Sequence, residues 1–202
     1  MFTGIIQSIS LEKTIKEKDY GSEITLKVDK KFLKGLEIGA SIAVNGVCLT
    51  VTHFTEEKVS FDVIPESLKL TNLSGKKNDA QFNLERSLKM GDEIGGHLVS
   101  GHVQASTEVI ELIDGKERIL KLKIPSEIRD YLFKKGYVAL NGVSLTISDI
   151  SKDDFSVSLI PETLSATNLS YVKKGDSINV EADQQTVAIV DTVKEFYEKG
   201  LI

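Results

Sequence analysis

The chain has 202 residues, of which 41% are hydrophobic and 27% charged, and 30 acidic against 25 basic side chains give a net charge of −5. This is the composition of a folded protein, and because the charges are interspersed without a basic block, we expect no nucleic-acid partner. The first residues, MFTGIIQSISLEK, have no basic stretch followed by an apolar run, and no stretch of about 18 residues is continuously apolar, so we expect a cytoplasmic protein without membrane association. The single cysteine excludes an intrachain disulfide and a cysteine-based zinc site.

Short runs rich in Val, Ile, Thr and Phe predict β-strands through the first half of the chain. The clearest runs are Glu23–Val28, Ser41–Val44, Cys48–Phe54 and Lys58–Val63. Asn45-Gly46 marks a tight turn, and single helical turns are predicted after Asp29 and at Pro65, where proline suits a first helical position. About six short strands per hundred residues favour a small barrel or sandwich.

The second half of the chain repeats the first. The matched segments are Asn45–Val51 with Asn141–Ile147, Ile64–Ser74 with Ile160–Ser170, Asn83–Ser87 with Asn179–Asp183, and Thr3–Gln7 with Ser100–Gln104. The first three pairs are 96 positions apart and the last is 97 apart, so one residue was inserted or lost between them. A repeat this long is a duplicated domain, not a solenoid unit.

The second half carries the same helical signals and then departs from the strand pattern at its end. Ser126–Leu132, after Pro125, copies the first short helix, and Pro161 copies Pro65. The tail has apolar residues at three- and four-residue spacing up to Gly200, which predicts an amphipathic helix of about four turns. Its apolar positions are Val187, Val190 and Val193, or Ile189, Val193, Phe196 and Tyr197. This helix either covers one end of the second barrel or joins subunits, and the second interpretation is favoured because helices packed around an axis bury such a stripe fully.

Several motifs together resemble the lumazine-dismutating riboflavin synthase family. They are MFTGII at the start, NGVCLTV, DEIGGHLVSGHV at Asp92–Val103, NGVSLT and LIPETL, in this order along the whole chain. The resemblance implies an all-β fold of two tandem Greek-key β-barrels related by internal duplication, plus a C-terminal α-helix. We expect barrels at 1–86 and 98–184, a linker at 87–97 and a trimerisation helix at 185–202.

The activity implied by the resemblance needs neither a cofactor nor a metal. Two molecules of 6,7-dimethyl-8-ribityllumazine would exchange a four-carbon unit to give riboflavin and 5-amino-6-ribitylamino-2,4-pyrimidinedione, the last step of riboflavin biosynthesis. Holding both pteridines face to face can contribute roughly 7–11 kcal/mol to lowering the barrier. The family also implies a homotrimer with each site between two subunits, and association with a lumazine synthase is a further expectation.

Six side chains are the candidates for chemistry. Cys48 stands where the second unit has Ser144, and the family resemblance makes both candidates for a nucleophile, or for polarising a water, at carbon 7 of the pteridine. His97 and His102 are an odd number of residues apart, which argues against one shared metal and favours proton transfer or hydrogen bonding. The remaining interpretations are a small buried cysteine and two ordinary turn histidines.

The other two candidates lie near the ends of the repeat. Asp183 aligns with Ser87, so a carboxylate is expected in one pocket only, as a proton carrier, as an N-cap of the tail helix, or as both. Gln184 stands where the family more often has proline. Phe2, next to Thr3, is expected to close over a bound ring, with a hydrophobic end tucked against a barrel as the alternative.

The resemblance also implies residues that line the two ligand pockets. In the N-terminal barrel these are Gly4, Ile5, Ile6, Ser41, Val47, Leu49, Thr50, Asp62, Val63, Ile64, Pro65, Glu66 and Ser67, besides Cys48. In the C-terminal barrel they are Gly101, Val103, Lys135, Leu145, Thr146, Ser158, Leu159, Ile160, Pro161, Glu162 and Thr163, besides His102 and Ser144. Strand-edge backbone groups suit the imide edge of a pteridine, and the hydroxyls suit a ribityl chain.

Two alternatives compete with the enzyme. A lumazine- or flavin-binding antenna protein would share the duplicated barrel without turnover. A generic β-barrel that binds oligonucleotides is disfavoured by the acidic charge and by the lack of an aromatic stacking stripe.

Overall fold

The computed structural model describes residues 1–74, 81–115 and 117–201. Within these, the first half of the chain forms one antiparallel sheet with the strand order β1-β7-β4-β5-β6-β3-β2. The strands are β1 (Ser8–Ile9), β2 (Glu12–Lys18), β3 (Gly21–Lys27), β4 (Ser41–Val44), β5 (Val47–Phe54), β6 (Lys58–Val63) and β7 (Asn83–Arg86). Because β3 pairs with β6 and not with its chain neighbour β4, the connection crosses one end of the sheet as in a Greek key.

The second half forms a closed barrel in the order β10-β11-β12-β9-β8-β13. Its strands are β8 (Ala105–Asp114), β9 (Arg118–Lys123), β10 (Tyr137–Leu140), β11 (Val143–Ile150), β12 (Asp154–Leu159) and β13 (Ser177–Ala182). The long β8 pairs with β13 at one end and with β9 at the other, which closes the ring.

The same closure occurs in the first half, with the closing strand divided. β1 pairs with β7, and β2 pairs with β3 at the other end of the sheet. Between them Ser10 N–H donates to the Phe82 carbonyl and Leu11 N–H donates to the Lys27 carbonyl. The first half is therefore a barrel as well, and the prediction of two duplicated Greek-key barrels is confirmed.

Alternation of apolar and polar residues determines the inner and outer faces of each barrel. In β3 the even positions Ser22, Ile24 and Leu26 are buried and their neighbours are partly exposed, as a half-buried strand requires. Val47, Leu49 and Val51 of β5 point into the first core, and their counterparts Val143, Leu145 and Ile147 point into the second. Cys48 and Ser144 therefore lie on the outer faces of the barrels.

Short helices lie where proline and the repeat predict them. Helix α1 (Pro65–Leu70) and helix α2 (Pro161–Ala166) each have proline in the first turn and are followed by short 3-10 turns at Asn72–Ser74 and Asn168–Tyr171. Ser126–Tyr131 is a 3-10 helix. After Asp29 the chain forms consecutive i→i+3 turns in place of a regular helix, with Phe32 N–H donating to the Asp29 carbonyl.

The C-terminal helix α3 (Gln184–Glu198) confirms the predicted tail helix. Val187 packs against the second core, and on the same side Tyr131 Oη donates to Asp191 Oδ1 at 2.8 Å while Lys194 Nζ lies 2.7 Å from Asp130 Oδ2. The large apolar side chains exposed on the helix are Ile189, Val193, Phe196 and Tyr197. At about 3.6 residues per turn these four side chains point away from the barrel. The barrel therefore covers the face of α3 that carries Val187 and leaves the other apolar face exposed.

No helix in the described ranges has both the length and the apolar character that a membrane crossing requires.

Candidate active site

The two barrels meet through equivalent residues of the two repeats. Gly46 and Gly142, each with positive φ, approach so closely that a Cβ on Gly46 would lie 2.7 Å from the Gly142 nitrogen. Phe2 N–H donates to the Val99 carbonyl at 2.8 Å, and Val99 N–H donates back to the Phe2 carbonyl at 3.0 Å. Because these contacts are reciprocal, an approximate two-fold axis relates the two halves.

Six asparagines form a hydrogen-bonded cluster at this junction. They are Asn45, Asn72 and Asn83 of the first repeat and their counterparts Asn141, Asn168 and Asn179 of the second. Each bond has an equivalent across the axis: Asn72 Nδ2 donates to Asn141 Oδ1, and Asn168 Nδ2 donates to Asn45 Oδ1, both at 2.9 Å. Because the bonds cross from one half to the other, the cluster fixes the relative position of the two barrels.

Two buried carboxylates hold the first residues of the two repeats, residues 3–6 and 100–103, which we call the leading segments. Glu85 accepts hydrogen bonds from Thr3 N–H at 2.6 Å, Thr3 Oγ1 at 2.8 Å and Gly4 N–H at 3.1 Å. Glu181 accepts the equivalent bonds from Ser100 N–H and Oγ, both at 2.7 Å, and from Gly101 N–H at 2.9 Å. Burial raises the pKa of the Glu85 carboxyl, and the hydrogen bonds from Thr3 and Gly4 oppose that shift.

The first candidate site is the outer face of β10 and β11 together with residues 4–6, which we call the C-terminal cup. Ser144 N–H donates to the Gly4 carbonyl at 2.9 Å. The Ser144 hydroxyl lies 2.7 Å from His97 Nδ1, and the imidazole stacks on the ring of Tyr137 with centroids 5.1 Å apart. The structure thus brings two predicted catalytic residues together and adds Tyr137, which the sequence did not indicate.

Burial lowers the pKa of the His97 imidazole, and the charge of Asp183 opposes this shift only in part. His97 is therefore held as the neutral imidazole near pH 7, in which one ring nitrogen donates and the other accepts. With a hydroxyl at Nδ1, the ring can pass a proton between Ser144 and a bound molecule.

The lowered pKa of His97 predicts a pH dependence of stability. An unfolded histidine titrates near about 6.5. As pH falls below this value the unfolded chain takes up the proton first, so the stabilisation is present above pH ~6.5 and is lost as pH falls through the folded-state pKa. We expect the free energy of unfolding of wild type, measured in urea at fixed protein concentration, to fall between pH 7.5 and 5 more steeply than that of His97→Gln.

The matched control for this measurement is His53→Gln, which changes an exposed histidine of β5. That variant should keep the wild-type slope. If the difference between wild type and His97→Gln is the same at every pH, the buried neutral imidazole is contradicted.

The second candidate site, the N-terminal cup, is the outer face of β4 and β5 together with residues 101–103. Cys48 N–H donates to the Gly101 carbonyl at 2.9 Å, and Ser41 pairs with Thr50 across the two strands. His102 is exposed beside this wall, and its N–H donates to Ser100 Oγ at 3.2 Å. The cups share their backbone pattern, but a cysteine and an exposed histidine stand in one, and a serine and a buried histidine in the other.

The leading segments are exchanged relative to the expectation from the sequence. We assigned residues 4–6 to the N-terminal barrel's pocket and residues 101–103 to the C-terminal one. That division was wrong: Gly4 bonds to Ser144 and Ile6 packs on the second core, whereas Gly101 bonds to Cys48 and Val103 packs on the first core. The physical reason is the two-fold junction, where each segment lies between the barrels and reaches the other's wall.

The other expected binding residues divide between the two faces of their strands. Side chains packed in the cores, which leave only backbone groups for a ligand, are those of Val47, Leu49, Val63, Leu145 and Leu159. Those on outer faces or at the helix entrances are Ser41, Thr50, Asp62, Ile64, Pro65, Glu66, Ser67, Thr146, Ser158, Ile160, Pro161, Glu162 and Thr163. Ile5 is also exposed. Lys135 is exposed before β10 with a φ of 71°, two residues from Tyr137.

Two predicted catalytic residues have clear structural positions. Asp183 is the N-cap of α3, since its Oδ2 accepts from Thr186 N–H at 3.0 Å and from Thr186 Oγ1 at 2.8 Å. Helix α3 begins regularly at Gln184. Phe2 is completely buried with Val99, next to Cys48. Its closure over a bound ring stays a prediction.

Two open surface cavities are lined by basic residues outside the predicted pockets. One of about 580 Å³ is lined by Lys31 and Arg86, and one of about 680 Å³ by Lys123 and Arg129. Neither contains a predicted catalytic side chain. Within the described part of the chain, no three His, Cys, Asp or Glu residues form a metal-binding group.

Comparison with known proteins shows which family the sequence matches. The model of the Lumazine binding domain matches residues 3–87 and again 100–183. The chain is 44% identical to the riboflavin synthase of Chlamydia pneumoniae over 96% of both chains, and 42% identical to that of Escherichia coli over 96% of this chain and 92% of that one. The riboflavin synthase of Bacillus subtilis is 38% identical over 91% of this chain and 85% of its own length.

Solved structures show the same architecture. The crystal structure of LumP complexed with 6,7-dimethyl-8-(1'-D-ribityl) lumazine has a TM-score of 0.81 at 27% identity, covering 90% of this chain and 99% of that chain. The complex of LumP with riboflavin has a TM-score of 0.82 at 28% identity over the same shares.

Proposed function

Because the chain belongs to the riboflavin synthase family and carries its lumazine-binding domain twice, we propose that it dismutates 6,7-dimethyl-8-ribityllumazine to riboflavin and 5-amino-6-ribitylamino-2,4-pyrimidinedione. The observation that carries the proposal is the near full-length identity of 38–44% to riboflavin synthases. The two products contain all atoms of the two substrates, so no external oxidant is required.

The twin cups support a donor and an acceptor role for two copies of one molecule. Similar backbone walls would recognise the same pteridine, and the differing side chains would treat it differently. In the C-terminal cup, His97 and Ser144 could move a proton at a methyl group or orient a water toward carbon 7. In the N-terminal cup, Cys48 and His102 offer a thiol and an exposed imidazole to the second molecule.

The direct test uses the purified protein with the lumazine, a chelator and no added cofactor. We expect riboflavin fluorescence to appear, with one riboflavin formed for every two lumazines consumed, as chromatography would measure. The alternative is an antenna protein that binds without turnover, as the fold shared with LumP allows. A shift of lumazine fluorescence without riboflavin would establish that alternative, which the higher identity to the synthases disfavours.

We further propose a homotrimer in which α3 joins the subunits and each site lies between two of them. Four large apolar side chains on α3 are exposed in the single chain, including Ile189 at 65% and Val193 at 50%. At the cups, Ile64 and Ile160 are 56% and 60% exposed, which suits coverage by a ligand and a neighbouring subunit. A cytoplasmic location fits the single thiol of Cys48, and a lumazine synthase is the partner favoured by the shared lumazine.

The trimer proposal predicts that Val193→Asp dissociates the assembly, because the substitution buries a charge in an apolar contact. Analytical ultracentrifugation should show a monomer at concentrations where wild type is trimeric. The control is Ala188→Asp, at an exposed position outside the apolar stripe, which should stay trimeric. A trimer for Val193→Asp would rule out α3 as the joining element.

A further inference from the structure

Glu85 and Glu181, the two buried carboxylates where the barrels meet, have no role in the proposed reaction. Glu85 and Glu181 are each only 2% exposed, yet neither forms an ion pair among the described residues. Each instead accepts three hydrogen bonds from one leading segment. A buried carboxylate costs solvation free energy, so this arrangement needs those donors in place.

Each carboxylate belongs to one barrel and holds a segment that forms the wall of the other. Glu85 lies on β7 of the first barrel and binds Thr3 and Gly4, whose carbonyl oxygen accepts from Ser144 of the second barrel. Glu181 lies on β13 of the second barrel and binds Ser100 and Gly101. The Gly101 carbonyl accepts from Cys48 of the first barrel.

The contacts around each segment leave little room for it to shift. A Cβ on Gly4 would lie 2.5 Å from Ser144 Cβ, and one on Gly101 would lie 2.6 Å from Cys48 Cβ. The Thr3 carbonyl also packs against Gly96, next to His97. A displacement of either segment therefore reaches the candidate chemistry of one cup directly.

We infer that Glu85 and Glu181 are positioning residues that act crosswise, Glu85 on the C-terminal cup and Glu181 on the N-terminal cup. The inference rests on the proposed function for its effect on turnover, while the crossed geometry can be tested without turnover. It implies that neither barrel makes a complete cup by itself.

Glutamine substitutions test the inference while preserving shape. A glutamine amide has one acceptor oxygen, so serving the N–H and hydroxyl of Thr3 leaves its NH₂ group facing the Gly4 N–H, where two donors meet. The same holds for Glu181→Gln and Gly101. Alanine is avoided, because it would leave three buried donors unpartnered and threaten folding.

The chain offers reporters for both cups. Cys48 is the only cysteine, so [¹⁵N]cysteine labelling gives a single backbone amide, the one that bonds to Gly101. Three histidines give ring signals, of which His97 reports on the C-terminal cup and exposed His53 serves as an internal reference. Glu181→Gln should shift the Cys48 amide and speed its hydrogen exchange about tenfold or more, as expected for weakening a charge-assisted bond, while leaving the His97 ring signals unchanged.

Glu85→Gln should give the opposite pattern, with the His97 ring signals shifted and the Cys48 amide unchanged, so each variant is the control for the other. Riboflavin formation by both variants should fall about tenfold or more in kcat. The inference is overturned if each variant moves the reporter of its own barrel, or if both variants move both reporters or neither. A wild-type protein that makes no riboflavin but shows the crossed shifts would refute the proposed function and keep the crossed geometry.

Discussion

Replacing Ser144 by alanine should lower kcat for riboflavin formation about 100-fold or more, and it should lower the free energy of unfolding by about 1–3 kcal/mol because buried His97 loses a hydrogen-bond partner. The hydroxyl lies 2.7 Å from Nδ1 of a buried imidazole that is held neutral, so its removal takes away the group through which His97 can exchange a proton in the C-terminal cup. Losses of about 10²–10⁴ are typical when a positioned acid or base is removed. Steady-state kinetics should show the change mainly in kcat.

The matched control is Ser148→Ala on the same strand. The Ser148 hydroxyl donates to the Ser156 carbonyl at 3.0 Å, within the barrel wall and away from His97. This variant should keep kcat within about twofold, since a single neutral hydrogen bond contributes about 1 kcal/mol to stability and nothing to proton transfer. If Ser144→Ala retains wild-type kcat, Ser144 and its contact with His97 have no part in the chemistry.

Replacing Asn141 by alanine should lower the free energy of unfolding by about 4–6 kcal/mol. Its Oδ1 accepts from Asn72 Nδ2 at 2.9 Å and from Asn179 N–H at 3.0 Å, and its Nδ2 donates to Asn168. Each buried partner left unsatisfied costs roughly 1–3 kcal/mol. The φ of 45° at this position adds about 1–2 kcal/mol of backbone strain for alanine.

Asn141→Gly separates the loss of the hydrogen bonds from the backbone strain. Glycine accepts the positive φ but restores none of the hydrogen bonds, so it should recover only about 1 kcal/mol of the loss. Urea unfolding at fixed protein concentration measures both variants, because assembly would otherwise contribute to the apparent stability. A loss below about 1 kcal/mol for Asn141→Ala would show that the cluster does not hold the barrels together.

The duplication, the helices and the two faces of the strands were predictable, because each depends on a pattern that can be read along the sequence. The 96-residue repeat indicated the duplication, proline located α1 and α2, and the apolar spacing of the tail located α3. Alternation along β5 also contains the information that Cys48 and Thr50 share the face opposite Leu49. Of the two roles predicted for Asp183, the N-cap is confirmed, because it needs only a partner three residues away.

The parts that sequence did not predict depend on how the two halves meet. The exchange of the leading segments follows from the junction, and no property of residues 4–6 indicates which barrel they will contact. His97 and Ser144 are 47 residues apart, and Tyr137 stands where the first repeat has Ser41. One sequence pattern could have predicted the asparagine cluster: six of the seven asparagines occupy equivalent positions of the two repeats.

The close backbone contact between Gly46 and Gly142 limits how the two copies of the ancestral domain could diverge. A side chain gained at either glycine would meet the main chain of the other copy, so neither could drift alone. The residue two places further on faces a cup instead, and there the copies have become Cys48 and Ser144. The two copies therefore stay alike where their backbones touch, and they differ two residues further along the strand, where the side chains face the cups.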